Sequence, residues 1–284
     1  MTPPVHSPDP RAAAAYWNQI LDPRNLAHAP AAETPRAIQR DIALARTPDF
    51  LAALRHLAPT ASRPPGVIDL GAGLGNHALA AARMGHRVLA LDASLDRMRR
   101  LRIRAARVGV QLPAVVARAE ALPFRTGSVG ALYTKSVLIH TDLDRALDEI
   151  ARILGPGGRC ALIEPQPGNP FVRLYRATLA PSAWKSITRY FDAPRQRLVA
   201  QRIGPTRLRP FYFLGFLGFI FEFGVPWPKV RNGVLACLRP VDALLFSLIP
   251  LLRRWAWFGL LEAEKPAAKL NAEADSDGDL SSTD

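Results

Sequence analysis

Cysteine is scarce: the 284 residues hold two, Cys160 and Cys237. They lie far apart and match no metal-ligand spacing, which excludes a disulfide framework and a zinc site and fits a reducing cytoplasm. No metal is expected. The opening Met1-Thr2-Pro3-Pro4-Val5-His6 lacks a basic stretch followed by an apolar run, so no signal peptide is expected. Long apolar runs are also missing. Residues 211–221 form a run of eleven closed by Glu222, and residues 234–252 are interrupted by Arg239, Pro240, Asp242 and Pro250. Neither reaches the roughly 18–20 residues that a membrane span needs. No internal repeat is visible, which excludes a solenoid. Acidic residues are outnumbered, 24 against 37 basic ones, for a net charge of +13. That balance favours acidic partners or simply a solvated basic surface. These absences describe a cytoplasmic protein, with peripheral contact at a membrane as a further option.

What is present supports a sizeable core, since 49% of the residues are hydrophobic. Residues 1–15 are rich in Pro and Ala, and residues 38–57 read as a helix. From residue 67 the pattern alternates. Strands are expected at 67–70, 86–91, 114–117, 129–134 and 159–163, and helices at 76–84, 95–108 and 143–154. Leu95, Met98, Leu101, Ala105 and Val108 share one helix face. Gly155-Pro156-Gly157-Gly158 reads as a turn. Strands alternating with helices through short loops predict an α/β fold, a doubly wound and mostly parallel sheet. After Pro165 the composition shifts: ten of the twelve Phe and four of the five Trp follow it. There a helix is expected at 207–218, a strand at 219–225, a helix at 234–252 broken near Pro250, and a last strand at 255–264. The tail from 267 is small, polar and acidic, the composition of disorder. Four regions result: an N-terminal helical lid (1–58), a nucleoside-binding core (59–165), a substrate region completing the sheet with an aromatic-rich helical insertion (166–266), and the acidic tail (267–284).

The chemistry concentrates in Asp69-Leu70-Gly71-Ala72-Gly73-Leu74-Gly75 between the first strand and its helix. Glycines let a loop turn sharply and let a ligand approach the backbone. A dinucleotide fingerprint places glycine at the sixth position, where this chain has Asn76. Asp92 closes the second strand, seventeen residues after Gly75. A carboxylate there can accept both hydroxyls of a ribose.

The loop, Asp92, the segment Ala119-Glu120-Ala121-Leu122-Pro123-Phe124 and the turn 154–158 occur in that order. As a set they resemble the class I S-adenosylmethionine-dependent methyltransferases, in particular the small-molecule group that includes the quinone C-methyltransferases. The resemblance spans residues 67–165 and implies a seven-stranded Rossmann-like sheet with a last antiparallel strand. It implies S-adenosylmethionine as cofactor, with Asp69, Gly71, Ala72, Gly73 and Gly75 along its methionine part and Asp92 and Ala93 at its ribose. Ala119 and Glu120 would flank the adenine. Thr134 and Lys135, after the fourth strand, would face methionine and substrate. Two positions depart from the family pattern: Arg118 stands where it usually has Asp, and Val129-Gly130 where it often has Phe-Asp.

Methyl transfer from a sulfonium is an in-line displacement, so alignment is much of the catalyst's task. A base is required when the acceptor must lose a proton, and His140 is the candidate. Tyr16, with Trp17, is a candidate to close over the site, His77 could reach the cofactor or cap its helix, and Glu164 sits at the edge where open sheets bind substrates. Three functions compete. The aromatic region around 211–223 and Trp227 argues for a small apolar or lipid-like acceptor, methylated at O, N or C. The charge argues for nucleic acid, but Thr134-Lys135-Ser136-Val137 replaces the Asn/Asp-Pro-Pro-aromatic motif of amino-directed enzymes, and Cys160 follows Arg159, not proline. The third is a non-catalytic protein that keeps the fold and contacts a partner or a membrane, the arginines of 97–107 being one surface for anionic lipid.

Overall fold

The computed structural model describes residues 33–178, 189–219 and 227–267. Its centre is a seven-stranded sheet of order β3-β2-β1-β4-β5-β7-β6. The strands are β1 (Val67–Leu70), β2 (Val88–Asp92), β3 (Ala114–Val116), β4 (Val129–Lys135), β5 (Leu154–Pro165), β6 (Thr206–Phe211) and β7 (Phe258–Glu264). All are parallel except β7, which runs antiparallel to both β5 and β6. The expected doubly wound architecture is therefore present, with the antiparallel strand starting at Phe258 instead of residue 255 because Pro250–Trp255 forms a 3-10 turn.

Helices cover both faces. On one lie α1 (Pro35–Ala45), α2 (Pro48–Leu57), α3 (Asn76–Arg83) and α4 (Leu95–Arg107), with Ile38, Phe50, Leu57, Leu79 and Leu101 buried against Tyr133 and Ile163. On the other lie α5 (Leu143–Ile153) and α7 (Ala193–Arg202), packed against Ile68, Leu132 and Leu162. Successive strand residues alternate between the two clusters, as pleating requires. α6 (Pro170–Thr178) follows β5, and α8 (Pro228–Leu248) follows the 3-10 turn Gly215–Phe219.

Four sequence expectations need correction. Residues 38–57 are two helices, because Pro48 forces Thr47 into an extended conformation (ψ 156°) that a helix interior cannot contain. Residues 207–218 are not helical. Arg207, Arg209 and Phe211 alternate with Leu208 and Pro210 along β6, an edge strand where a missing proline N–H costs no ladder bond. Of the strand expected at 219–225, Phe219 ends a 3-10 turn and the rest lies outside the described residues. The helix expected at 234–252 starts at Pro228 and stops at Leu248. Neither α6 nor α7 was legible in the pattern. Among the described residues no helix is long and apolar enough to cross a membrane.

The arginines of α4 are mostly occupied within the molecule. Arg104 is 2% exposed, paired with Glu33 (3.1 Å) and Asp41 (2.9 Å), and donates to the Leu74 carbonyl and Asn76 Oδ1. Arg102 donates to the Ala114 carbonyl, Arg107 to the Glu33 carbonyl, and Arg100 pairs with Asp96. Arg104 therefore braces the glycine loop, and the stretch offers little to a lipid head group.

Candidate active site

The first parallel strands end at one edge, and the glycine loop leaves it. Gly71, Gly73 and Gly75 all adopt positive φ (75°, 57° and 81°). Their surroundings differ. A Cβ on Gly71 would strike the Val137 side chain, and one on Gly75 would strike Leu101 at 2.7 Å. A Cβ on Gly73 would meet only Arg97 Nη1, at 3.8 Å, so Gly73 faces open space. The loop is pinned from behind: Gly71 and Ala72 donate to the Leu91 carbonyl, and Gly75 N-caps α3.

Two carboxyls flank that opening. Asp92 accepts the Gly73 N–H on one oxygen and the Ser94 N–H on the other, both at 2.9 Å, with Arg97 Nη1 4.0 Å away. Each oxygen keeps a lone pair for a hydroxyl. Asp69 is buried and accepts the Ala78 N–H; its Oδ2 has no hydrogen-bond partner. Burial, and then the nearby Asp92 charge, push its carboxyl up to about 7. Opposite it in register on β4, Tyr133 Oη is likewise buried without a partner. Unpartnered buried oxygens are costly, and a ligand with donors or positive charge offsets that cost. A glycine open to close approach, a carboxylate pre-set for a diol and an orphan carboxyl oxygen fit a nucleoside bearing a cationic amino-acid tail, such as S-adenosylmethionine.

Ala93 is exposed just past Asp92. Ala119 is buried, and Glu120 accepts the Asp142 N–H (3.1 Å) while facing Arg118 Nε (3.4 Å). Arg118 is thus turned onto Glu120. Thr134 is fully buried with its hydroxyl unpaired, on the face opposite Lys135. Lys135 Nζ pairs with Asp49 Oδ2 at 2.8 Å and lies 5.2 Å from the Phe258 ring centroid. Asp49 is 0% exposed and also accepts the Tyr212 hydroxyl (2.5 Å). Burial raises its pKa, but the Lys135 charge and hydrogen bonds outweigh that and leave it below the ordinary value. His77 packs against Phe50 and Tyr133, and burial pushes its imidazole down to about 3.

His140 ends a 3-10 turn, Leu138–His140, immediately after β4. Glu164 holds that turn. It is 0% exposed, its Oε1 accepts the N–H groups of Val137 (3.1 Å) and Leu138 (2.9 Å), and its Oε2 is unpartnered. Burial pushes it up to about 8. Tyr16 lies outside the described residues. Asp49 and Tyr212 escaped the sequence reading, since an acidic residue in a helix's first turn and an aromatic after a strand read as ordinary surface or core, and Arg104 was read only as one of a surface run of arginines.

The residues from 68 to 162 match the family model described as a methyltransferase domain. Malonyl-[acyl-carrier protein] O-methyltransferase of Methylococcus capsulatus is 36% identical over 160 residues, covering 54% of this chain and 52% of that protein. An uncharacterised protein of Mycobacterium tuberculosis is 36% identical over 124 residues, 41% of this chain and 45% of its own length. The chain thus spans about half the length of these curated relatives. Among solved structures, a geranyl diphosphate methyltransferase in complex with GPP and sinefungin aligns with TM-score 0.51 at 19% identity, over 76% of this chain and 77% of that one. Phosphoethanolamine N-methyltransferase 2 of Haemonchus contortus, in complex with S-adenosyl-L-methionine, aligns with TM-score 0.52 at 17% identity, over 82% and 57%. At such identities the likeness is one of fold.

Proposed function

We propose that this chain, whose residues 68–162 match the methyltransferase-domain family, is a class I S-adenosylmethionine-dependent methyltransferase that moves a methyl group to a small acceptor at the edge where β1, β2 and β4 end. The observation that carries this reading is Gly73, open to space beside the Asp92 carboxylate and the orphan oxygen of Asp69. Bound there, the cofactor supplies a methyl activated by its sulfonium. Asp92 holds the ribose hydroxyls, the loop 69–75 lies along the methionine part, and Ala119 and Glu120 border the base. Glu164 holds the turn that carries His140, the candidate base.

An apolar acceptor fits the surroundings. Phe171 and Leu174 on the helix leaving β5, and Leu248, Ile249 and Trp255 before β7, are exposed near this edge. Exposed apolar groups gathered in one place mark a contact surface. Of the curated relatives named above, one is a malonyl-[acyl-carrier protein] O-methyltransferase, which supports a small organic acceptor group over a nucleic acid. Cys160 argues against attack on a pyrimidine carbon, since it is fully buried within β5 and its thiol is pushed up to about 12.

Calorimetry with S-adenosylhomocysteine tests the cofactor reading: the wild type binds, and Asp92→Asn binds at least tenfold more weakly. A folded wild type that does not bind would overturn it. Labelled S-adenosylmethionine with organic-phase extracts then tests the acceptor; binding without any transfer would leave the non-catalytic alternative standing.

A further inference from the structure

Away from the glycine loop, β6 and α8 enclose a cavity of about 340 Å³. Arg207, Arg209 and Phe211 point from one face of the strand, and Leu235, Arg239, Asp242 and Phe246 meet them at helical spacing. Arg253 adds a fourth guanidinium. Four cations therefore share a concave space with one carboxylate, and that carboxylate is already spent. Asp242 accepts the N–H groups of Phe213 (3.0 Å), Leu214 (2.8 Å) and Gly215 (3.1 Å). Arg209 pairs with Glu262 on the neighbouring strand β7 (2.9 Å), and Arg253 donates to the Phe246 carbonyl. Among the described residues, Arg207 and Arg239 make neither ion pair nor hydrogen bond.

Arg207, Arg239 and Arg253 are exposed at the mouth of the cavity, so Arg207 and Arg239, which make no ion pair within the described residues, present their guanidinium groups to a ligand from solvent. Guanidinium forks match the paired oxygens of a phosphate, with two parallel N–H bonds from each. The rest of the wall (Leu208, Pro210, Phe211, Leu235, Phe246) is apolar and suits a hydrocarbon chain, and the volume lies at the small end of ligand sites. We propose that this cavity binds the phosphate or diphosphate group of an amphiphilic molecule. The proposal stands on the arginines and is independent of the methyltransferase reading. Tyr212 links the two places: it lines the cavity, and its hydroxyl reaches the Asp49 that pairs with Lys135.

The test is titration calorimetry of the full chain at constant ionic strength, with inorganic pyrophosphate in one arm and phosphatidic-acid-containing vesicles in the other. Arg207→Ala/Arg239→Ala is the informative variant, and Arg125→Ala, an exposed arginine elsewhere, is the control. Pyrophosphate is expected to bind wild type and Arg125→Ala alike and the double variant at least tenfold more weakly, with S-adenosylhomocysteine affinity the same in all three. Binding of vesicles alone, lost in the double variant, supports the proposal with a lipid head group as the source. Equal binding by wild type and double variant in both arms, or none by folded wild type in either, overturns it.

Discussion

Among the three loop glycines, all at positive φ, a side chain would meet different obstacles, and this separates binding from stability. Any L-residue there pays the left-handed penalty of roughly 1–2 kcal/mol. At Gly75 an added methyl also runs into Leu101, whereas at Gly73 it enters the open space proposed for the cofactor. Gly73→Ala is expected to keep most of its thermal stability and lose S-adenosylhomocysteine binding by tenfold or more. Gly75→Ala is expected to lower Tm by more. Thermal shift and calorimetry on the pair decide the matter, and the reverse ranking would move the cofactor off Gly73. Glu164 yields a second prediction at this scale. Its pKa is raised from about 4.5 unfolded to about 8 folded. The folded chain therefore keeps a proton that the unfolded chain releases, so the associated stability is full below pH 4.5 and is lost as pH rises through 8. Gln mimics the neutral acid and still accepts the Val137 and Leu138 N–H groups. Glu164→Gln should match wild type near pH 5 and exceed it in Tm near pH 8.5; parallel pH profiles would sink the assignment.

At the scale of elements, one ion pair ties three parts of the fold. Asp49 at the start of α2 meets Lys135 at the end of β4 and Tyr212 just after β6. Removing one member of a buried pair leaves the other uncompensated, at about 3–5 kcal/mol, while replacing both with apolar groups costs far less. Asp49→Asn should therefore lower denaturation stability by about that much, and Lys135→Met added to it should recover a large part. A strictly additive double variant would show that the charges do not interact. The same elements show how far the sequence could be read. β1, β2, β4, α4 and α5 were legible within a residue or two because the strands are short, almost fully buried apolar runs and the helices carry one apolar face and start at the capping Ser94 and Asp142. β6 was misread because its Arg-Leu-Arg-Pro-Phe alternation is short and sits beside the apolar 211–221 run, which swamped the two-residue period. The glycine loop was legible because three glycines alternate within five residues after a strand. The Asp49–Lys135–Tyr212 link was not, since it joins residues 163 positions apart and no local pattern encodes it.

For the whole molecule, the binding edge lies between two cores that share one sheet, and the outlying helices are clasped to it by buried polar groups. α8 reaches back to α1 through Arg231, which is 0% exposed and donates to the Leu44 carbonyl. α4 reaches α1 through Arg104 and Asp41, and Lys265 beyond β7 donates to the Ala151 and Leu154 carbonyls at the junction of α5 and β5. Helices held in this way cannot leave without exposing unpaired charge, so described residues from 33 to 267 should unfold as one unit. Far-UV dichroism, which follows the helices, and Trp fluorescence, which includes Trp255 and Trp257 just before β7, are expected to report coincident thermal transitions. S-adenosylhomocysteine at a hundred times its Kd stabilises a native state by about 2.7 kcal/mol. For a chain of this size that corresponds to a rise of roughly 5–10 °C. Because the proposed site lies between the two cores, both probes should move together by that amount. A fluorescence transition that stays in place while the dichroism shifts would mean that the β7–α8 part unfolds separately from the cofactor edge.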